Sequence, residues 1–350
     1  MHPTVALRCD ASPRRGVGHA LRCLALADEL RDRGARPFVA GAIEVDWVAA
    51  EYARRGVAVV PAPDAPEALA STLTGSGADA VVLDHYGLDT GTAGALRAAG
   101  LPTLSILDGS FGAGQDADLF LDQNLGAERR TDLPPERALL GLGNALFRDE
   151  VLARRGPRPL REPGAALRVL CVFGGTDALG AAGTVVPIVL SLAEPVHVIA
   201  VTSDAALRES LSDAVRPGGP TLELVGPTPD LPTLAASCDL VLTAAGSSVW
   251  EFLCIGVPMA VVCVVDNQEE GYEQIVSRGC AAPLGRLESL SAEAPAREAA
   301  LRTVERLVAS PSTRAALADR GRALVDGTGR VAVVDALLAL VDRPSRPLTS

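Results

Sequence analysis

"RCDASPRRGVGHALRCLALADEL", residues 8–30, joins an apolar run to a helical pattern through a turn holding Gly16, Gly18 and His19. The run "TVALRCD" (4–10) before it reads as a buried strand. After it Leu21, Leu24, Leu26 and Leu30 recur at helical spacing and Gly34 stops the pattern, and "RPFVAG" (36–41) follows as a second strand. Strand, glycine turn, helix, strand at this pitch predicts a βαβ unit of a parallel sheet. A dinucleotide fingerprint needs a third glycine at position 21. Leu21 stands there, and Glu44 and Asp46 beyond the second strand do not restore the motif, which argues against nicotinamide. The two glycines still let the backbone approach a ligand closely, and the start of the following helix favours an anion.

Outward from this unit the alternation continues. "VAVVPA" (57–62), "DAVVLDH" (79–85), "PTLSILD" (102–108) and "ADLFLDQ" (117–123) read as further strands. "RRGPRPLREPGAA" (154–166) has no periodicity and is rich in Pro, Gly and Arg, as a linker is. Strands then resume at "LRVLCVFGG" (167–175), "VHVIAVT" (196–202), "LELVG" (222–226), "DLVLTAAG" (239–246) and "PMAVVCV" (258–264). Residues 310–327 and 329–341 read as closing helices. The expected fold is α/β: two Rossmann-like doubly wound domains facing a cleft, over residues 1–153 and 167–342, with a tail at 343–350. Apolar residues at 48 % with aromatics at 3 %, mostly Ala, Val and Leu, suit strands covered on both faces.

Composition narrows the function. A net charge of −11, with no basic run, argues against a nucleic-acid partner; all 32 basic residues are arginine. The seven cysteines form no C-x-x-C pair and lie mostly in apolar runs, as core residues of a reducing compartment do. No signal pattern or membrane-length apolar stretch is present, so a cytoplasmic protein with no membrane partner is expected, and a monomer. The four histidines, His2, His19, His85 and His197, form no metal-ligand spacing, and no metal or cofactor is expected.

Polar clusters gather where strands end, and in doubly wound sheets ligands bind outside the carboxyl ends of the strands. His19 is placed to accept a proton from water or a hydroxyl, although a histidine there can also simply start the helix. Asp10 can orient its ring or cap a turn, and Arg22 can add a donor to an anion site or face solvent. "LDHYG" adds Asp84, His85 and Tyr86. "FGGTD" sets Gly174, Gly175, Thr176 and Asp177 in the matching turn of the second domain as a phosphate nest. "AAGSSVWE" puts Ser247 and Ser248 at a helix start, ordinary cap residues that also suit a diphosphate, with Glu251 one turn on to accept ribose hydroxyls. Asn267 and Gln268 follow the next strand. Clusters at so many strand ends point to a nucleotide-sugar substrate.

Together, "R-x-D-A-S…G-x-G-H-x-x-R-C-L-A-L-A", "DHYG", "LLG…ALFR", "FGGTD", "AAGSSVWE…G-x-P" and "DNQ" resemble the UDP-sugar hydrolases of the pseudaminic-acid pathway (UDP-2,4-diacetamido-2,4,6-trideoxy-β-L-altropyranose hydrolases) and their spore-coat polysaccharide relatives. The resemblance runs over residues 4–275. It implies the GT-B fold of two-domain glycosyltransferases, and a metal-free hydrolysis in which His19 activates water, UDP leaves and the anomeric configuration inverts. It further implies that Gly16 and Gly18 embrace the diphosphate, that Gly175, Ser247, Ser248 and Glu251 hold phosphate and ribose, and that Asn267 and Gln268 lie near the diphosphate or sugar. Two positions depart from the family pattern, Gly109 where a second aspartate is frequent and Asn144 where tyrosine is usual. An inverting glycosyltransferase, with His19 deprotonating an acceptor hydroxyl, is the alternative reading.

Overall fold

The computed structural model describes residues 2–108, 112–156, 165–175 and 177–342. They form two compact units, one from the described residues of 2–149 with 327–342 and one from those of 150–326.

The first unit holds β1 (Thr4–Arg8), β2 (Arg36–Ala40), β3 (Val59–Val60), β4 (Ala80–Leu83), β5 (Thr103–Ile106), β6 (Leu119–Asp122) and β7 (Ala138–Leu140). They make one parallel sheet in the order β3-β2-β1-β4-β5-β6-β7. Every residue of β1 and β4 is buried, which explains their unbroken apolar reading. The first helix, Gly18–Asp32, covers one face, where Leu24, Leu26 and Leu30 meet Val5, Leu7 and Val82. Helices Pro66–Gly75 and Thr92–Ala98 cover the other, over Ala6, Val81 and Leu83. The sequence pattern misses β7, whose three residues are too few to show a period.

The second unit holds β8 (Leu167–Val172), β9 (Val196–Val201), β10 (Thr221–Val225), β11 (Leu240–Ala244), β12 (Met259–Cys263) and β13 (Ala282–Arg286). They form a parallel sheet in the order β10-β9-β8-β11-β12-β13. β13 also escapes the sequence reading: Pro283 and a register shift opposite Val261 and Val262 break its pattern, which only an edge strand tolerates. One large apolar core, running from Leu167 to Leu317, packs this unit.

The closing helix corrects the sequence-derived boundaries. Helix Gly329–Val341 follows the second unit in the chain but packs on the first sheet, where Val333, Val334, Leu337 and Leu340 complete the face begun by the first helix. Arg330 fastens it, with Nε 3.3 Å from Glu29 and a terminal nitrogen 2.6 Å from Asp149. The helix starts so close to Asn144 and Ala145 that a Cβ at position 329 would lie 2.4 Å from a backbone atom, which only glycine avoids. The expected linker lies mostly, and the tail wholly, outside the described residues.

Candidate functional site

The order of the first sheet reverses between β1 and β4. β1 leads into a helix on one face and β4 into a helix on the other, the switch point outside whose strand ends open α/β sheets hold their ligands. His19 follows β1 and Asp84 follows β4, so the sheet's switch point brings them together.

His19 Nδ1 lies 2.6 Å from Asp84 Oδ1. Asp84 is 1 % exposed, and burial alone would raise its pKa. The charge of Arg22 and the contact with His19 outweigh burial and hold the carboxyl well below the usual carboxylate range. The carboxylate is therefore ionised and accepts, so Nδ1 donates to it, which in a neutral ring leaves the lone pair on Nε2. Arg22 turns inward rather than to solvent. Its Nε and one terminal nitrogen each lie 2.5 Å from Asp84, one on each oxygen, and it is buried. That fork holds the carboxylate in plane. Cys23 Sγ approaches the same group at 3.8 Å, and the Tyr52 hydroxyl donates to the Ala20 carbonyl at 2.6 Å to brace the helix beneath His19. The Tyr86 ring meets the His19 ring edge-on, with centroids 4.3 Å apart at 82°.

Asp10 does not orient His19. It accepts from Arg8 at 2.8 Å, from the Ala42 N–H at 2.8 Å and from Arg15 at 3.0 Å, and lies 2.9 Å from His85 Nε2. Against the cost of burial, His85, Arg8 and the Ala42 N–H hold its carboxyl well below the usual range. His85 Nδ1 accepts the Gly87 N–H at 3.0 Å, and its Nε2 also lies 2.7 Å from an Arg15 terminal nitrogen. The crowding depends on Gly41, where a Cβ would stand 2.0 Å from the Cys9 carbonyl oxygen. Gly16, with φ of 82°, turns the chain back so that its N–H donates to the Ser12 carbonyl at 2.9 Å. Gly18 opens the helix, whose start has no side-chain cap.

In the second unit the switch point lies between β8 and β11, so Gly174 and Gly175 after β8 adjoin Ser247 and Ser248 after β11, with Asn267 and Gln268 after neighbouring β12. Ser247 makes no capping bond through its side chain, contrary to its ordinary use, and is exposed. Ser248 begins the helix Ser248–Ile255, which carries Glu251 in its first turn. Gln268 accepts the Val264 N–H at 3.0 Å, and Asn267 is exposed. Asp177, in a left-handed conformation with φ of 44°, accepts from the N–H groups of Ala181 at 2.8 Å and Ala182 at 3.0 Å. The start of helix Ala181–Leu190 thus already holds the protein's own carboxylate. Thr176 lies outside the described residues.

Sequence reasoning missed Asp108, after β5, whose carboxylate accepts the Tyr86 hydroxyl and lies 4.0 Å from Arg22. It also missed Arg8 and Arg15 as partners of Asp10. Among the described residues no group of three or more His, Cys, Asp or Glu side chains is placed to hold a metal, and no helix is long and apolar enough to cross a membrane.

No family model matches the chain, and no curated protein matches it in sequence. Solved structures match over nearly its whole length. MurG from Acinetobacter baumannii is 17 % identical with a TM-score of 0.69, covering 96 % of this chain and 99 % of that one. The UDP-GlcNAc 2-epimerase of Neisseria meningitidis, solved with UDP-GlcNAc bound, is 13 % identical with a TM-score of 0.63, covering 96 % and 100 %. The spinosyn forosaminyltransferase SpnP is 16 % identical with a TM-score of 0.69, covering 98 % and 100 %. At these identities the likeness establishes the architecture, a two-domain α/β fold of the GT-B type.

Proposed function

We propose that this protein is an enzyme of UDP-sugars, and that it cleaves the anomeric C–O bond of a UDP-linked amino-deoxy sugar with water. The observation that carries this reading is the His19–Asp84–Arg22 array at the switch point of the first sheet. A water on Nε2 gives its proton to His19 as its oxygen bonds to the anomeric carbon from the face opposite the nucleotide. The bond from that carbon to the diphosphate oxygen breaks, UDP departs with the electron pair, and the configuration inverts. The ionised Asp84 stabilises the imidazolium that forms, and Arg22 keeps Asp84 ionised and in plane. Gly16, Gly18, Gly174, Gly175, Ser247 and Ser248 are assigned to the diphosphate, Glu251 to the ribose, and Asn267 and Gln268 to the diphosphate or sugar side. The sequence resemblance supports water as the nucleophile, and the enzymes of similar fold support the UDP-sugar.

A second reading has its own support, since MurG and SpnP share the fold and SpnP is named a transferase. There His19 would take its proton from an acceptor hydroxyl. The test is UDP release from a panel of UDP-sugars, with and without candidate acceptors and after chelation of divalent metals, with the first-formed anomer read by proton NMR. Release without acceptor or metal, giving the inverted free sugar, is the expected result. Release only with an acceptor establishes the transferase, and a new UDP-sugar without release establishes an epimerase.

A further inference from the structure

Asp108 closes a ring of contacts around His19. From the imidazole the path runs through Asp84 at 2.6 Å, then Arg22 at 2.5 Å, then Asp108 at 4.0 Å, then the Tyr86 hydroxyl, and returns through the Tyr86 ring to the imidazole. A hydrogen bond at Nδ1 alone leaves the imidazole free to rock about that contact, which would swing Nε2 off its target. An edge-on aromatic neighbour blocks the rocking only if that neighbour is itself fixed. Tyr86 is 44 % exposed, and its hydroxyl donates to the Asp108 carboxylate. The Asp108 carboxylate at the end of β5 supplies the hold, steadied by the same guanidinium that holds Asp84.

We infer that Asp108 is a positioning residue, which anchors Tyr86 against His19 and thereby aims Nε2 at the nucleophile. The inference rests on the reading of His19 as the base. Burial and the Asp108 charge push the Tyr86 phenol above its ordinary value, so it stays protonated and donates, as the anchor requires.

The test compares Asp108→Ala, Asp108→Asn, Tyr86→Phe and the double variant Asp108→Ala with Tyr86→Phe. Anchoring needs only an acceptor, which asparagine retains. Asp108→Ala and Tyr86→Phe should each lower kcat about tenfold with KM within about twofold, Asp108→Asn should stay near wild type, and the double variant should be no worse than either single one. Asp108→Asn as impaired as Asp108→Ala, a rise in KM, or multiplying losses in the double variant would overturn the inference, because each means that the carboxylate acts on substrate directly. Imidazole nitrogen NMR gives a readout independent of turnover, since only His2, His19, His85 and His197 contribute. The His19 signals should move or broaden in Asp108→Ala and Tyr86→Phe and return in Asp108→Asn, while His2 and His197 stay fixed. Unmoved His19 signals in Asp108→Ala defeat the inference. Failure of the wild type to turn over any UDP-sugar defeats the proposed function instead, and the spectra still decide the anchor.

Discussion

At the scale of single residues, His19 and Asp84 carry different burdens. On the proposed function, His19→Ala removes the proton acceptor but no group assigned to the nucleotide, so kcat should fall by about 10²–10⁴-fold while UDP affinity by calorimetry is retained. Lost affinity with an unchanged saturated rate would remove His19 from the chemistry. Asp84→Ala instead strands the Arg22 guanidinium, which is buried, and should destabilise the first unit by about 3–5 kcal/mol in urea unfolding. Because the folded-state pKa of Asp84 lies below its ordinary value of 3.8, its contribution is present above that value and is lost progressively as pH falls from there through the lower folded-state value. The wild-type advantage over Asp84→Asn should therefore shrink only at the acid end of a stability profile. His19 could be read from its sequence neighbours, because paired glycines before a helix mark a ligand turn. Its partnership with Asp84 spans 65 residues, and no local pattern encodes which carboxylate meets which base across that interval.

At the scale of elements, the start of helix Ala181–Leu190 is satisfied by a side chain from the turn that precedes it. The first N–H groups of a helix have no partner within it. Asp177 reaches forward to fill two of them, and for that it adopts a conformation that aspartate tolerates better than most residues. Asp177→Ala loses both bonds and keeps the strain, so it should cost about 1–2 kcal/mol. Asp177→Asn keeps an acceptor and tolerates the same φ, so it should cost clearly less. Equal unfolding midpoints for the two variants would mean that the cap contributes nothing.

At the scale of the whole molecule, the two units differ in how the chain closes them. The second is continuous, and its core is drawn entirely from its own span. Residues 150–326 expressed alone should therefore unfold cooperatively. The first borrows its last helix from the far end of the chain, and Val333, Val334, Leu337 and Leu340 are each less than a tenth exposed there. Burying four such side chains is worth roughly 6–12 kcal/mol as an upper estimate, as large as the whole stability of a typical domain. Residues 1–149 alone should lack a cooperative transition and bind a hydrophobic dye, and should regain the transition when residues 327–350 are supplied. A cooperative transition in residues 1–149 alone would show that the closing helix is dispensable.

What the sequence by itself determined is local. Apolar runs buried on both faces, helical spacing of leucines and the glycines between them settle the α/β class, most strands of both sheets and the turn that carries His19, because each depends on residues within a few positions of one another. Only the tertiary structure decided which sheet the closing helix covers, that Asp84 rather than Asp10 orients His19, that Arg22 turns inward, and that Asp108 reaches the site through Tyr86. Those outcomes depend on which strands adjoin at the switch point and on which charges can share a buried space, and both are properties of the folded sheet.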